Sequence, residues 1–132
     1  RLGIELARSG DLQLFVLHAI EQLPLGDPTG FGITPDDAAE LHREARERIL
    51  AELGDAALQR PPEIRVISGS PEPAILELIE QESIDLLIMG TIGRSGIRGV
   101  LTGNSAERLL PRLQCSLLAI KPDDFLCPVD PE

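Results

Sequence analysis

The amino-acid sequence predicts an α/β domain in which parallel strands alternate with helices. Short, almost purely aliphatic runs, such as residues 84–90, have the length and composition of buried strands. Amphipathic segments of helical length separate these runs, and the connections are short. Such regular alternation predicts a parallel sheet covered by helices on both faces, a three-layer sandwich of Rossmann-like type. The 132 residues, of which 42% are hydrophobic, suit one compact domain.

The first part of the chain contains two predicted helices and one predicted strand. Residues 2–8 form a short helix that ends at a Ser-Gly pair, and the aliphatic run 11–20 is the strand. Residues 21–33 hold two Pro and three Gly and are expected to form a loop. The segment Thr34-Pro35-Asp36-Asp37 then starts a helix over 35–53, because Thr can cap free N–H groups and the acids complement the helix dipole.

The remainder of the chain continues the alternation. The expected elements are a strand at 61–69, a helix at 71–82, a strand at 84–90, a helix at 104–113 and a strand at 115–122. Since the chain opens on a helix, we expect a first strand to precede it in the intact fold. The domain is therefore assigned to 1–122, as a five-stranded type of sheet whose first strand is missing here, and 123–132 is assigned to an extended tail.

The composition excludes several classes of partner. A net charge of −10 repels nucleic acids and anionic membranes, and no apolar run approaches the ~18 residues of a membrane span. Cys115 and Cys127 make neither a disulfide framework nor a metal cluster. Cys115 is expected as a small buried residue of the last strand. Together with the absence of an export signal, this profile favours the cytoplasm.

A glycine-rich loop, residues 90–103, is the segment that predicts chemistry. It follows a strand and leads into the start of the helix at 104, the place where ligands bind in doubly wound sheets. Glycines allow a close approach of backbone N–H groups to an anion, and the helix start adds a partial positive charge. The spacing matches neither a Walker loop nor G-x-G-x-x-G. From physics alone the loop is a candidate anion site.

Local charge admits two interpretations of this loop. Four arginines surround it and are opposed nearby only by Glu107: Arg94, Arg98, Arg108 and Arg112. Arginine suits phosphate because its planar guanidinium donates two parallel hydrogen bonds. The alternative is that these side chains are solvated or paired with the abundant carboxylates of the chain.

The two histidines offer no catalytic partner in the sequence. His18 falls at a strand end and is expected to be structural, whereas His42 lies among charged residues of a helix and is expected to be solvated. Neither a Cys–His nor a Ser–His pairing suggests a nucleophile.

The loop and its flanks resemble the universal stress protein family. Gly90-x-x-Gly93, followed after nine residues by Gly103, is similar to the family's nucleotide motif. A strand ending in MGT, a GRSG segment, an AER helix and a closing strand with Cys and KP also match, as do the LHAI strand and the stretch SGSPEPAILELIEQESIDLLIMG. The ending GNSAE and the KPDDF tail resemble the second half of tandem-domain bacterial members. In those proteins two such domains pack on each other.

This resemblance implies an adenine nucleotide alpha hydrolase-like fold and a nucleotide site. ATP is the implied ligand, with Mg²⁺ as its candidate companion and no protein metal site. Phosphates would lie on the glycine loop, while Ala19 and Met89 would lie against the nucleotide. The implied nucleotide-binding residues are Ala19, Met89, Gly90, Gly93, Arg94, Gly103, Asn104 and Ser105.

The resemblance leaves three functions open. The first is an ATP-responsive stress regulator without catalytic residues, with weak ATP hydrolysis at most. The second is an interaction module with a degenerate site, because Asn104 stands where the family has Ser or Thr. That module would act by pairing with a second domain or as a homodimer through the last strand, Ser116 to Lys121. The third is an enzyme of the wider adenine-nucleotide-binding relatives, and no Ser-Gly-Gly-x-Asp-Ser loop supports it.

Overall fold

The computed structural model describes residues 1–20, 34–90 and 104–121. The elements in these ranges are helices α1 (Leu2–Ser9), α2 (Pro35–Leu53), α3 (Pro71–Glu82) and α4 (Asn104–Leu109), and strands β1 (Phe15–Ile20), β2 (Glu63–Ser68), β3 (Leu86–Gly90) and β4 (Ser116–Ile120). The chain divides into two compact units, Arg1–Ala74 and Ile75–Glu132. The predicted loops and the tail 123–132 lie outside the described residues.

The described part of each unit contains one parallel pair of strands. In the first unit β1 pairs with β2, from Phe15 opposite Glu63 to Ile20 opposite Ser68. In the second unit β3 pairs with β4, from Leu86 opposite Ser116 to Gly90 opposite Ile120. The helices and strands alternate in the predicted order. The prediction of an α/β fold with parallel strands is confirmed.

Proline sets the beginning of the first ladder. The strand predicted at 11–20 begins only at Phe15, and the strand predicted at 61–69 begins only at Glu63. Pro61 and Pro62 have no backbone N–H and cannot extend β2 backwards, so the paired residues of the ladder begin with Phe15 and Glu63. The first ladder bond runs from the Glu63 N–H to the Leu14 carbonyl, at 2.9 Å.

Side chains join the segments that precede these two strands. The Arg60 guanidinium donates to both carboxylate oxygens of Asp11, each at 2.8 Å. The side-chain amide of Gln13 donates to the Pro61 carbonyl at 2.8 Å. The α2–β2 connection is thereby tied to the start of β1.

The helix predicted at 104–113 is shorter than expected. The α-helical part, α4, ends at Leu109, and Leu110–Arg112 continue as one turn of 3₁₀ helix. Pro111 explains the change, because proline lacks the N–H that an α-helix would use and its ring crowds the preceding turn.

The buried side chains are small or aliphatic in both units. Ala7 and Leu53 are buried in the first unit, and Ile79, Ala106 and Leu109 are buried in the second. The prediction for Cys115 is wrong, since this residue lies one position before β4 and is partly exposed. Cys115 lies in the bend between the 3₁₀ segment and β4.

A capping box fixes the start of α2. The Thr34 hydroxyl accepts a hydrogen bond from the Asp37 N–H at 3.2 Å, and the Asp37 carboxylate accepts one from the Thr34 N–H at 2.9 Å. The Thr34 hydroxyl also donates a hydrogen bond to the Asp37 carboxylate, at 2.7 Å. This bond, together with the one from the Thr34 backbone N–H, lowers the pKa of Asp37. These reciprocal bonds satisfy N–H groups that a helix start otherwise leaves without a protein partner.

Gly69 shapes the turn that follows β2. Its φ of +124° is one that residues with a Cβ rarely adopt, although an added Cβ would meet nothing within 4 Å. Its N–H donates to the Ile20 carbonyl at 2.9 Å and so closes the end of the ladder. Two residues later α3 begins at Pro71.

We predict that Thr34→Ala destabilises the protein by about 1 kcal/mol, because it removes the hydroxyl that caps α2. The conservative change Thr34→Ser keeps that hydroxyl and should recover most of the loss. Urea unfolding followed by circular dichroism measures both variants. Equal midpoints for Thr34→Ala and Thr34→Ser would show that the cap contributes little.

We predict that Gly69→Ala lowers the free energy of unfolding by roughly 1–3 kcal/mol, through backbone strain alone. Gly10→Ala is the matched control, because Gly10 is extended, with a φ of −147°, and its added Cβ would meet only the Leu12 side chain, at 3.6 Å. That control should be neutral or slightly stabilising. Thermal unfolding of the two variants side by side tests the difference, and equal losses would refute it.

Candidate functional site

In the second unit, β3 precedes the predicted phosphate loop and α4 follows it. Met89 and Gly90 are the last two residues of β3, opposite Ala119 and Ile120 of β4. The next described residue, Asn104, is the first residue of α4. Residues 91–103 therefore connect the carboxyl end of a parallel strand to the beginning of a helix, as the sequence predicted.

The structure describes some of the predicted site residues and leaves others outside its described ranges. Gly93, Arg94 and Gly103 lie outside the described residues. Asn104 and Ser105 form the first two backbone positions of α4. Ala19 lies in the first unit, as the next-to-last residue of β1 opposite Ile67, and it is partly buried.

Burial of two side chains holds α4 in the second unit. Leu109 has no exposed surface and Ala106 is buried as well. The polar side chains between them in sequence, Glu107 and Arg108, are exposed, as is Arg112 of the 3₁₀ turn. Glu107 places one negative charge in the first turn of α4. Arg108 and Arg112 supply positive charge beyond it.

The carboxyl end of the first sheet contains a polar pair that the sequence analysis missed. Nε2 of His42, on α2, lies 2.6 Å from the Ser68 hydroxyl, at the last residue of β2. The sequence analysis named no partner for His42, and the structure places this half-buried residue against Ser68. Ser68 shares a face of β2 with Ile64 and Val66, because alternate residues of a strand point the same way.

A helical stripe explains why His42 reaches this strand. The less exposed positions of α2 recur at helical spacing, and His42 is one of them: Ala38, His42, Ala45, Ile49 and Leu53. A second contact comes from Arg46, which donates to the Ile64 carbonyl at 3.3 Å. The sequence therefore held a signal for the pair, a histidine on the apolar stripe of an otherwise charged helix.

The described residues contain no preformed metal site. Nowhere in ranges 1–20, 34–90 and 104–121 do three or more His, Cys, Asp or Glu side chains come together in a way that could hold an ion. Over the same ranges, every helix is too short or too polar to cross a membrane.

Comparison with known proteins agrees with this architecture. The model of the Universal stress protein family matches residues 1–121. Universal stress protein E of Escherichia coli strain K12 is 42% identical over 65 residues, which make up 49% of this chain and only 21% of that longer protein.

Two solved structures have a similar fold. Universal stress protein UspA from Lactobacillus plantarum superposes with a TM-score of 0.66 at 18% identity, over 90% of this chain and 84% of that one. A universal stress protein crystallised in complex with cAMP gives a TM-score of 0.54 at 26% identity, over 92% of this chain and 82% of that one. Since the family model spans nearly the whole sequence, the chain belongs to the Universal stress protein family.

Proposed function

We propose that this chain is a nucleotide-responsive domain of a stress regulator, which binds the phosphates of ATP on the segment Gly90–Ser105. One observation carries the proposal: the segment begins at the carboxyl end of a parallel strand and ends at the first turn of a helix. Ligands of open α/β sheets bind at this edge. Three glycines at family spacing, Gly90, Gly93 and Gly103, give the backbone room to approach a phosphate.

Electrostatics favour an anion there in spite of the acidic chain. The first N–H groups of α4 have no partner within the helix and carry a partial positive charge. Arg94 and Arg98 lie in the same segment, and a guanidinium can donate two parallel hydrogen bonds to a phosphate. Glu107 opposes this attraction, but it is a single exposed carboxylate.

The choice of an adenine nucleotide rests on the resemblance to the family and on one relative. The universal stress protein crystallised with cAMP shares 26% identity with this chain over 92% of its length. In our proposal Ala19 and Met89 lie against the base, while Arg94, Asn104 and Ser105 contact phosphate. Mg²⁺ would enter with the triphosphate, because this ion is commonly held through substrate phosphates. Binding, rather than catalysis, is the proposed role.

Association with a second domain extends this proposal. The E. coli relative is considerably longer than the 65 residues that match, since these are 21% of its length. We infer that the domain works in a cytoplasmic protein that pairs it with another domain of the same family.

ATP should stabilise the protein against heat. At a free concentration 100 times the dissociation constant, one-site binding adds about 2.7 kcal/mol to the free energy of unfolding. Arg94→Ala should weaken the shift in melting temperature at a fixed ATP concentration. Arg48→Ala, which removes an exposed arginine of α2, should leave that shift unchanged. Differential scanning fluorimetry with Mg-ATP, and with cAMP as a second ligand, makes the comparison.

Two outcomes of this titration would contradict the nucleotide proposal. One is the absence of any shift with millimolar ATP or cAMP. The other is an equal reduction of the shift by Arg94→Ala and Arg48→Ala, since that would point to non-specific attraction of the anion.

The second candidate function is domain pairing through the last strand. Among the described residues, β4 forms a ladder on one side only, with β3. Leu118 in the middle of β4 is 37% exposed. The end strand of a sheet, with an exposed leucine, is suited to pairing with another copy or another domain. Asn104, in place of the family's Ser or Thr, favours this candidate over ATP binding.

For this candidate we predict that Leu118→Lys lowers the apparent molecular mass, because a charge at the strand edge opposes pairing. Leu110→Lys is the matched control, since Leu110 is a 61% exposed leucine of the same unit outside β4. Sedimentation velocity at several protein concentrations measures both. A monomeric wild-type chain, or the same change in both variants, would argue against pairing through β4.

A further inference from the structure

A serine and a histidine meet at the carboxyl end of the first sheet. Ser68 is exposed and ends β2, and its hydroxyl oxygen lies 2.6 Å from Nε2 of His42. This distance is within the range over which a general base can take a proton from a hydroxyl nucleophile.

The backbone on both sides of the pair is held in place. On the strand side, the Gly69 N–H donates to the Ile20 carbonyl, so Ser68 is followed directly by a fixed turn. On the helix side, the capping box at Thr34 fixes the start of α2 and buried Leu53 fixes its end. Two regular elements therefore position the nucleophile and the base, and such support favours a productive geometry.

We propose that Ser68 is a nucleophile, activated by His42, that accepts an acyl group from a small activated ester. The neutral imidazole must carry its proton on Nδ1, so that Nε2 accepts a hydrogen bond from the Ser68 hydroxyl. Exposure of Ser68 gives such an ester access to the hydroxyl.

The transfer conserves atoms and charge. Ser68 Oγ forms a bond to the carbonyl carbon of the ester while Nε2 of His42 takes the hydroxyl proton. The bond between that carbon and the alcohol oxygen breaks, and the imidazolium returns the proton to the departing alcohol. Water then attacks the acyl-serine by the same proton relay, which releases the carboxylic acid and restores the Ser68 hydroxyl.

A second exposed serine of the same unit provides an internal control. The Ser9 hydroxyl donates to the Leu6 carbonyl at 2.8 Å. A backbone carbonyl does not take up the proton at neutral pH, so Ser9 should have the reactivity of an ordinary alcohol. The two serines differ in whether an imidazole accompanies them.

The test uses the full chain and two probes, a fluorophosphonate and p-nitrophenyl acetate. Peptide mapping of the wild-type chain should find the phosphonyl adduct on Ser68. Release of p-nitrophenol should fall at least about tenfold in His42→Gln, since a positioned general base contributes on the order of 100-fold or more. Ser68→Ala should abolish labelling at that peptide, and Ser9→Ala should change neither readout.

The proposal fails if the wild-type chain carries no adduct on Ser68 or carries as much on Ser9. It also fails if folded His42→Gln retains more than a tenth of the wild-type rate. Circular dichroism establishes whether each variant folds. The mapping of the wild-type chain decides the matter where a variant does not fold.

Discussion

Parallel pairing of neighbouring strands is the constraint on which the rest of the structure depends. Strands that run in the same direction bring their carboxyl ends to one edge, and the helix that follows each strand begins near that edge. In the first unit, β2 ends at Ser68 and α3 begins at Pro71. In the second, β3 ends at Gly90 and the next described helix begins at Asn104. In each unit, the strand-end side chains and the first N–H groups of the following helix therefore belong to the edge where α/β sheets bind ligands.

The order of the elements could be predicted from the sequence because it depends on local patterns. Aliphatic runs of strand length and amphipathic segments of helix length alternate, and α3 was predicted with the bounds that the structure has. The predicted bounds of α2 agree as well, whereas the ends of several other elements were less accurate. Pro61 and Pro62 shorten β2, and Pro111 converts the last turn of the helix at 104–113 into 3₁₀ helix. These deviations follow from an absent N–H, so the sequence contained their cause.

The sites were less predictable because they depend on contacts between distant residues. His42 and Ser68 are 26 positions apart, and only the packing of α2 against β2 brings them within hydrogen-bond distance. The charged residues around His42 led to the expectation that it is solvated. Its spacing with Ala45 and Ile49 nevertheless places it on the less exposed stripe of α2. The prediction of phosphate binding on Gly90–Ser105 rests on the spacing of the glycines in the sequence. It rests also on the position of this segment between β3 and α4.

The central claim is that amide groups between Gly90 and Ser105 bind a nucleotide phosphate. The most direct measurement is an NMR titration of the ¹⁵N-labelled chain with Mg-ATP. The account predicts saturable shifts of the amide resonances of Gly93, Gly103 and Asn104, while those of Ser9 and Gly10 at the end of α1 stay in place. Unchanged loop resonances, or saturable shifts confined to other segments, would contradict it.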